Sequence, residues 1–331
     1  MELAELAARL RRELLADEEL AFDPEGFVVR PVLNYGGFVN RSFTATDGAT
    51  TLQVKLADGS GTHRARRRLE RWRSLHAELS EHYRAPRMRG WIELTGTPFA
   101  GPIFEWIEGQ RPAALDPDLR RRLVDTVHRL HADVGLADRL TALGDRWRTC
   151  AEAYRSTYHE RFVEDLEFIR RDRPSFRSAS ELDWMSGQAA ELVRGVEASP
   201  AFGEPAAVPV HGDLWLDNLL VGRDGSLAIL DWDELELGDP MVDWAMLFGP
   251  SRDDLEPVAA EPTDLPDLSP AELERLTLYA RASLLDWVID PLADWVQAKS
   301  EPEHGTELQK VNRRTHERAL ELYRGRYRAS W

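Results

Sequence analysis

The chain has one cysteine, no long apolar run and almost no lysine in its first third. With Cys150 alone among 331 residues, no internal disulfide bond can form, which is typical of proteins that stay in the reducing cytoplasm. We expect Cys150 to be a small buried apolar side chain. No run of 18 or more apolar residues occurs, and the first twenty residues mix acids with arginines. Neither a transmembrane segment nor a signal sequence is therefore expected.

Positive charge is scarce and unevenly distributed. The formal net charge is −16, and all of it comes from residues 106–331, because residues 1–105 hold 15 basic and 15 acidic side chains. From Asp231 to Glu274 there are fourteen acids and one base, Arg252. A protein this acidic is not expected to bind nucleic acid, and its charge would attract a cationic small molecule. Solubility alone would explain the acidic excess equally well.

Two carboxylates and an amide form the most informative pattern, in the segments HGDLWLDNLLV (211–221) and LDWD (230–233). Asp213 and Asn218 have the D-x-x-x-x-N spacing of a kinase catalytic loop. Two apolar stretches joined by a turn predict a hairpin, whose ends would bring Asn218 and Asp231 together. Phosphoryl transfer needs one carboxylate to orient the attacking hydroxyl, and an amide with a second carboxylate to hold Mg²⁺. The pattern therefore predicts a kinase site; a surface turn followed by an unrelated strand-end acid is the alternative.

A glycine pair lies between two predicted strands near the start of the chain. The strands are residues 27–33 and 38–45, and Gly36 and Gly37 separate them. Glycine permits close backbone approach and unusual dihedral angles, so a turn of this kind can fold over phosphate groups. An ordinary hairpin would use the same residues, so the turn alone is a weak indication of phosphate binding.

Lysine occurs once in residues 1–105, where arginine occurs fourteen times. The retention of a compact ammonium at Lys55, on the predicted strand 51–56, indicates a function for it. Glu70, on the predicted helix 64–81, is its expected ion-pair partner, and Glu78 is a competitor that helical phase does not exclude. A solvent-facing lysine without a specific role is the alternative.

The remaining elements predict a division into two lobes. The strands 91–94 and 102–107 are expected to pair, and the segment 104–109 is typical of a connection between lobes. From residue 116 onward apolar residues recur at helical spacing, and residues 251–270, rich in proline and acids, indicate a loop. We therefore expect an N-terminal nucleotide-binding lobe at 1–105, with an antiparallel sheet plus a helix, and a larger, mainly helical lobe at 106–331.

With these motifs in place, the chain resembles the aminoglycoside phosphotransferase family, which also includes choline-kinase-like and homoserine-kinase-like enzymes. The resemblance runs from about residue 28 to 248 and is most specific at 211–221 and in LDWDELELGDPMVDWA at 230–245. It implies an α+β, bilobal protein-kinase-like fold and an ATP- and Mg²⁺-dependent kinase that acts on a small molecule. Protein kinases differ, because Gly212 stands where their loop has arginine and no Ala-Pro-Glu-like motif follows Asp231.

The resemblance also implies a role for each site residue. Asp213 is the expected catalytic base, and Asn218 and Asp231 are the expected Mg²⁺ ligands. Lys55 is expected to contact the α- and β-phosphates of ATP, with Glu70 as its ion-pair partner. The other expected nucleotide contacts are Gly36, Gly37, Asn40 and Ser42 over the phosphates, and the hinge residues Glu105, Trp106 and Ile107 at the adenine. The expected supporting residues are His211 and Asp243, which brace the loop, and Asp217, which is either exposed or an additional contact.

The acceptor substrate is the least constrained part of the prediction. Carboxylates beside aromatic rings suit an amine, so a cationic aminoglycoside-type antibiotic or amino sugar is the first hypothesis. A metabolite such as choline, homoserine or a sugar is the second, and a catalytically silent nucleotide-binding protein is the third. A partly buried helix with core tryptophans and solvated aspartates is the alternative for residues 284–295. The candidate substrate residues are Asp233, Glu234 and Glu236 after the metal motif, and Asp286, Trp287, Asp290, Asp294 and Trp295 on one predicted helix.

Overall fold

The structure, a computed structural model, describes residues 3–32, 40–59, 64–112, 116–249, 268–300 and 305–327. The chain divides into two compact units: the first comprises Met1–Arg111 with Leu219–Glu234, and the second Pro112–Asn218 with Leu235–Trp331. The predicted boundary near residue 105 stays a prediction, and the hairpin that follows Asn218 belongs to the first unit. Within the described ranges, no helix combines the length and the hydrophobicity needed to cross a membrane.

The predicted α+β fold is confirmed, with antiparallel strands mainly in the first unit and helices mainly in the second. The strands are β1 (Val28–Pro31), β2 (Asn40–Thr46), β3 (Thr51–Asp58), β4 (Met88–Glu93), β5 (Phe99–Glu105), β6 (Arg148–Thr149), β7 (Pro205–Ala206), β8 (Val208–Val210), β9 (Leu219–Val221), β10 (Leu227–Ile229) and β11 (Glu236–Gly238). The helices are α1 (Leu3–Ala16), α2 (Arg64–Tyr83), α3 (Pro117–His131), α4 (Val134–Ala142), α5 (Cys150–Tyr154), α6 (Glu160–Arg171), α7 (Ala179–Ala198), α8 (Met241–Leu247), α9 (Pro270–Gln297) and α10 (Gly305–Tyr327), with a π-helical turn between α5 and α6.

A five-stranded antiparallel sheet with the strand order β1-β2-β3-β5-β4 organises the first unit. Successive side chains of a strand point to opposite faces. On one face, Val54 belongs to the same apolar core as Leu10 of α1. On the other face, Phe104 contacts Trp72 of α2, with ring centroids 4.4 Å apart. Each face of the sheet is therefore covered by one helix, and Lys55, which follows Val54, lies on the face of α2.

Gly101 allows β5 to lie close to β3 beside Lys55. A Cβ atom on Gly101 would lie 1.8 Å from the backbone oxygen of Lys55, far inside van der Waals contact. A side chain at this position would have to push the two strands apart. The place of Lys55 in the sheet therefore depends on a glycine in the neighbouring strand.

Aromatic side chains fill the core of the second unit. Tyr154 and Tyr158, on either side of the start of the π-helical turn, both pack against Tyr279 of α9, and Tyr154 also packs against Phe202, with ring centroids 5.5 to 6.1 Å apart. Cys150, the first residue of α5, is fully buried, which confirms the sequence prediction. The last two helices of the described chain, α9 and α10, pack against each other.

Candidate active site

The predicted catalytic loop follows β8 in the second unit. Asn218 Nδ2 donates hydrogen bonds to the backbone oxygen and to the carboxylate Oδ2 of Asp213, both at 2.8 Å. The backbone N–H of Asp213 donates to His211 Nδ1 at 3.2 Å, and the backbone N–H of Asn218 donates to the carbonyl of Trp215 at 2.9 Å. One amide side chain therefore holds both the backbone and the carboxylate of Asp213. The two residues predicted from the D-x-x-x-x-N spacing are in direct contact.

Asp243, on α8, holds the start of this loop. Its carboxylate accepts hydrogen bonds from the backbone N–H groups of His211 and Gly212 and from His131 Nε2, each at 2.9 Å. Burial alone would raise the pKa of Asp243, but the hydrogen bond and charge of His131 outweigh it, so the pKa lies below its ordinary value. Gly212 has a φ of +78°, a conformation that glycine adopts without strain. Asp243 is therefore a buried carboxylate whose bonds shape the loop, which is the role that the family resemblance implies for it.

In the first unit, the predicted lysine lies between two carboxylates. Lys55 Nζ is 2.5 Å from Asp231 Oδ1 and 2.7 Å from Asp233 Oδ2. Asn40 Nδ2 donates a hydrogen bond to the same Asp233 oxygen at 2.7 Å. Only 8% of Lys55 and 7% of Asp233 is exposed to solvent. Burial would lower the pKa of the Lys55 ammonium, but the two carboxylates raise it above its ordinary value, so the lysine stays charged.

The turn after β10 carries both carboxylates. Asp231 has a φ of +59°, a left-handed conformation that costs a non-glycine residue roughly 1–2 kcal/mol. The buried ring of Trp232 anchors the turn, because its Nε1 donates to the carbonyl of Ile229 at 2.9 Å and its ring lies 6.1 Å from that of Tyr83 on α2. Burial raises the pKa of Asp233, and the Asp231 carboxylate adds to this rise, whereas the lysine opposes it. A strained and anchored turn thus directs two carboxylates at one ammonium.

The structure gives Glu70 a different partner from the predicted one. Glu70 accepts a hydrogen bond from Arg66, one helical turn earlier on α2, at 3.0 Å, and its side chain is half exposed. The α2 side chain that faces Lys55 is Trp72, whose ring centre lies 5.9 Å from the Lys55 Nζ. The expected Lys55–Glu70 ion pair is therefore absent from the described contacts of this structure, because the helix turns its aromatic side toward the lysine.

The other nucleotide-site predictions lie next to the sheet. Gly36 and Gly37 lie outside the described residues. Asn40 opens β2, and Ser42 on the same strand is in register with Lys55. At the predicted hinge, the backbone N–H of Glu105 donates to the backbone oxygen of Arg87, and that of Trp106 donates to the backbone oxygen of Thr51. The Trp106 ring is exposed and Ile107 is half-buried.

Three of the six acids predicted to bind a cationic substrate form ion pairs with arginines. Asp290 is half-buried, and the neighbouring Trp287 ring contacts that of Trp215, with centroids 5.2 Å apart. Asp286 and Asp294 are buried, so the alternative in which the aspartates of this helix are all solvated is wrong. The ion pairs are Glu234 with Arg68, Glu236 with Arg148, and Asp286 with Arg161, while Trp295 packs against Phe176.

Sequence reasoning missed these three arginines and the bond from His131 to Asp243. An arginine that pairs with an acid 88 or more positions away leaves no local pattern, and arginine is common throughout this chain. The histidine left a better signal, since His131 occupies an inward position at helical spacing on α3, where a polar side chain needs a buried partner.

The oxygen donors of the candidate site suit Mg²⁺. Asp231 offers a carboxylate in the first unit, and Mg²⁺ usually takes only one or two carboxylates from a protein, with phosphate oxygens and waters completing its shell. The buried Oδ1 atoms of Asn40 and Asp233 have no hydrogen-bond partner in the described structure, so further oxygen donors lie beside Asp231. In the part of the chain that the structure describes, no group of three or more His, Cys, Asp or Glu side chains is arranged to hold a metal.

The chain is similar to a family of phosphotransferases in sequence and to solved phosphotransferases in structure. The sequence profile of the phosphotransferase enzyme family matches residues 32–266. No curated protein matches the chain. An ethanolamine kinase of Plasmodium vivax superposes with a TM-score of 0.61 at 12% identity, covering 96% of this chain and 88% of that chain.

Two antibiotic phosphotransferases are also similar in structure. A spectinomycin phosphotransferase in complex with ADP and spectinomycin has a TM-score of 0.57 at 14% identity, covering 95% of this chain and 97% of that chain. An aminoglycoside 2′-phosphotransferase in complex with GDP has a TM-score of 0.56 at 12% identity, covering 94% and 99%. At these identities the similarity shows a shared fold.

Proposed function

The chain belongs to the phosphotransferase enzyme family, and from this we propose that it transfers the γ-phosphoryl group of ATP to a hydroxyl group of a small molecule. The observation that carries the proposal is the pairing of Asp213 with Asn218 in a loop held by the buried Asp243. This is the arrangement that a general base needs, because its carboxylate is oriented before the substrate arrives.

In the proposed reaction, Asp213 aligns the acceptor hydroxyl and accepts its proton. The bond between the acceptor oxygen and phosphorus forms as the bond to the leaving ADP oxygen breaks. Most of the rate enhancement in phosphoryl transfer comes from positioning and from electrostatic stabilisation, so the rigidity of the loop matters more than covalent help from the protein.

Lys55 is proposed to contact the α- and β-phosphates of the nucleotide. It is the buried, charged ammonium of the first unit, and its neighbours Asn40 and Ser42 lie on the strand next to it. Asp231 and Asn218 would hold Mg²⁺, which offsets the negative charge of the phosphates when bound. The relatives in complex with ADP and with GDP support the use of a purine nucleotide.

The proposed acceptor is an alcohol that also carries an amine. The net charge of −16 and the half-buried Asp290 beside Trp287 favour a cation. Spectinomycin phosphotransferase and ethanolamine kinase, which are similar to this chain in fold, are named for amine-bearing alcohols.

A neutral alcohol such as a sugar is the second candidate, and one observation favours it. The carboxylates of Glu234, Glu236 and Asp286 already have arginine partners, so their charge is largely neutralised without a substrate.

A screen of ADP release tests the proposed function. The purified protein is supplied with ATP or GTP and Mg²⁺ and with aminoglycosides, spectinomycin, macrolides, amino sugars, ethanolamine, choline, homoserine and neutral sugars. We expect acceptor-dependent ADP release with an amine-bearing alcohol, and an Asp213→Asn variant should lower kcat about 10²–10⁴-fold, which is the usual contribution of a positioned base.

The matched control is Asp138→Asn, which removes an exposed carboxylate on α4 of the same unit. It should leave kcat unchanged. Nucleotide binding without turnover for any acceptor would favour a silent nucleotide-binding protein, and full activity in Asp213→Asn would exclude Asp213 as the base.

A further inference from the structure

We propose that Asp233 is the residue that positions Lys55 for the nucleotide. The inference rests on the proposed function, because it takes Lys55 as the ammonium that contacts the phosphates. It replaces the role expected for Glu70 on α2 with a carboxylate two residues after Asp231. Asp233 thus acts through the lysine and has no chemical role of its own.

The geometry around Asp233 is that of a fixed anchor. Its Oδ2 atom lies 2.7 Å from Lys55 Nζ and accepts the hydrogen bond from Asn40 Nδ2, also at 2.7 Å. With 9% of its side chain exposed, Asp233 is held in place by packing, whereas the Asp231 side chain is 36% exposed. Of the two carboxylates, Asp233 therefore has less freedom to leave the lysine. A buried charge pair of this kind keeps its geometry because separating it would leave an uncompensated charge.

Helix α2 supports this arrangement with a cation. Its Arg68 forms an ion pair with Glu234, the residue next to Asp233, and so fastens the turn that carries the anchor. The acid expected to reach the lysine, Glu70, bonds Arg66 on the outer side of the helix. The helix was expected to hold the lysine with an acidic side chain. Instead, the base Arg68 of the helix holds the turn, and the acid Asp233 of the turn holds the lysine.

The roles of the two carboxylates then separate. Asp231 is the proposed Mg²⁺ ligand, whereas Asp233 Oδ2, which also accepts the hydrogen bond from Asn40, orients the lysine. The same contact links the first residue of β2 to the turn after β10. A change at Asp233 should consequently affect the nucleotide and leave the acceptor alone.

Substitution of Asp233 tests the proposal, with ATP binding measured by titration calorimetry and steady-state kinetics measured with the best acceptor of the screen. Asp233→Asn should raise the dissociation constant of ATP about 10-fold and lower kcat/KM for ATP about 10–100-fold, as expected when a residue that orients a charged ligand group is lost. The KM of the acceptor should stay within about twofold. Asp233→Glu, which keeps the charge, should recover part of the loss.

Arg68→Gln is the second variant, since it leaves the buried pair intact and releases only the turn. It should also raise the dissociation constant of ATP, but only about threefold. The matched control is Glu81→Gln, an exposed acid of the same helix, which should leave ATP binding unchanged. Thermal unfolding of each variant shows whether it is folded.

Three outcomes would contradict the proposal. If Glu70→Gln weakens ATP binding and Asp233→Asn does not, the helix carries the anchor after all. If the folded Asp233→Asn variant raises the acceptor KM as much as the ATP KM, the residue is merely structural. A wild-type protein that binds neither ATP nor GTP would overturn the proposed function first and this inference with it, and that failure is visible without any variant.

Discussion

At the scale of single residues, the candidate site depends on two buried carboxylates, each of which contacts more than one donor group. Asp243 accepts hydrogen bonds from two backbone N–H groups and from one imidazole. Asp233 pairs with the Lys55 ammonium and accepts a hydrogen bond from the Asn40 amide. Burial of an ionised group is costly unless hydrogen bonds compensate it. Each of these carboxylates therefore forces its neighbours into one geometry, and Asp213 benefits through the loop that Asp243 holds.

Replacement of Asp243 by asparagine should damage both stability and catalysis. The amide has the shape of the carboxylate but turns an NH2 group toward donors, and it loses the charge that His131 stabilises. We expect the free energy of unfolding to fall by about 1.5–3 kcal/mol, the range for hydrogen bonds to a charged group. Turnover should fall at least tenfold, because the loop that orients Asp213 is loosened. Urea denaturation and ADP release measure the two effects.

The exposed Asp138 provides the comparison, since Asp138→Asn removes an acid from the same unit without touching the loop. Equal effects of the two variants, or an Asp243→Asn protein with normal stability, would show that Asp243 does not support the site.

The sequence predicted the chemistry of these residues better than their partners. The spacing of Asp213 and Asn218 and the isolation of Lys55 among arginines are local patterns, and the structure brings the first two together. The partner of Lys55 was predicted wrongly, because Glu70 and Trp72 lie two positions apart, about 200° around α2, so Glu70 faces away from the sheet when Trp72 faces it.

At the scale of secondary-structure elements, the sheet of the first unit was foreseeable, and the short strands were not. Strands β2 and β3 alternate buried and half-buried side chains over part of their length, which leaves a pattern in the sequence. Strands β6 and β7 have two residues each, and the π-helical turn before α6 interrupts an otherwise regular helix. Elements this short have no periodicity of their own and form only because the surrounding chain brings them together.

Gly101→Ala tests how far the place of Lys55 depends on its neighbouring strand. Because the new methyl group would lie 1.8 Å from the backbone oxygen of Lys55, β3 and β5 must separate. We expect the free energy of unfolding to fall by about 3 kcal/mol, at the upper end of the usual cost of overpacking. ATP binding should weaken as the lysine moves. Chemical denaturation and calorimetry follow the two changes.

Gly187→Ala is the matched control, and its expected effect has the opposite sign. Gly187 lies inside α7, where an added Cβ meets nothing within 4 Å. Alanine should stabilise that helix by about 0.5–1 kcal/mol, because glycine loses more conformational freedom on folding. If Gly101→Ala leaves the free energy of unfolding unchanged, the two strands have room for a methyl group that the structure does not show.

At the scale of the whole molecule, the response of stability to pH should be set partly by a buried histidine far from the catalytic loop in sequence. His316 of α10 accepts a hydrogen bond from Arg177 Nε at Nε2, at 2.6 Å, so its Nδ1 must donate to the carbonyl of Val288 on α9, also at 2.6 Å. The ring is therefore neutral. Burial, helped by the charge of Arg177, lowers the pKa of His316 to about 4 from its ordinary 6.5.

The sign of the effect follows from proton uptake. Between pH 6.5 and 4 the unfolded chain binds a proton at His316 that the folded chain does not bind. The contribution of the neutral His316 to the free energy of unfolding is therefore complete above pH 6.5, and it is lost as the pH falls toward 4. At pH 5 the expected loss is about 2 kcal/mol.

Urea denaturation at pH 7 and at pH 5 measures this loss, and a His316→Gln variant should show a shallower dependence. His82→Gln, which replaces an exposed histidine of α2, serves as the control and should retain the wild-type dependence. A His316→Gln protein with the same pH dependence as the wild type would show that other groups account for it.

The fully buried thiol of Cys150 has a practical consequence for spectroscopy. Because the natural chain offers maleimide reagents no accessible sulfur in its folded state, a single cysteine engineered at any surface position would take up a fluorophore or a spin label selectively. Two such sites, one in each compact unit, would allow distance distributions to be recorded with and without nucleotide. Removal of the native cysteine, with its risk of a cavity beside Tyr154, would not be needed.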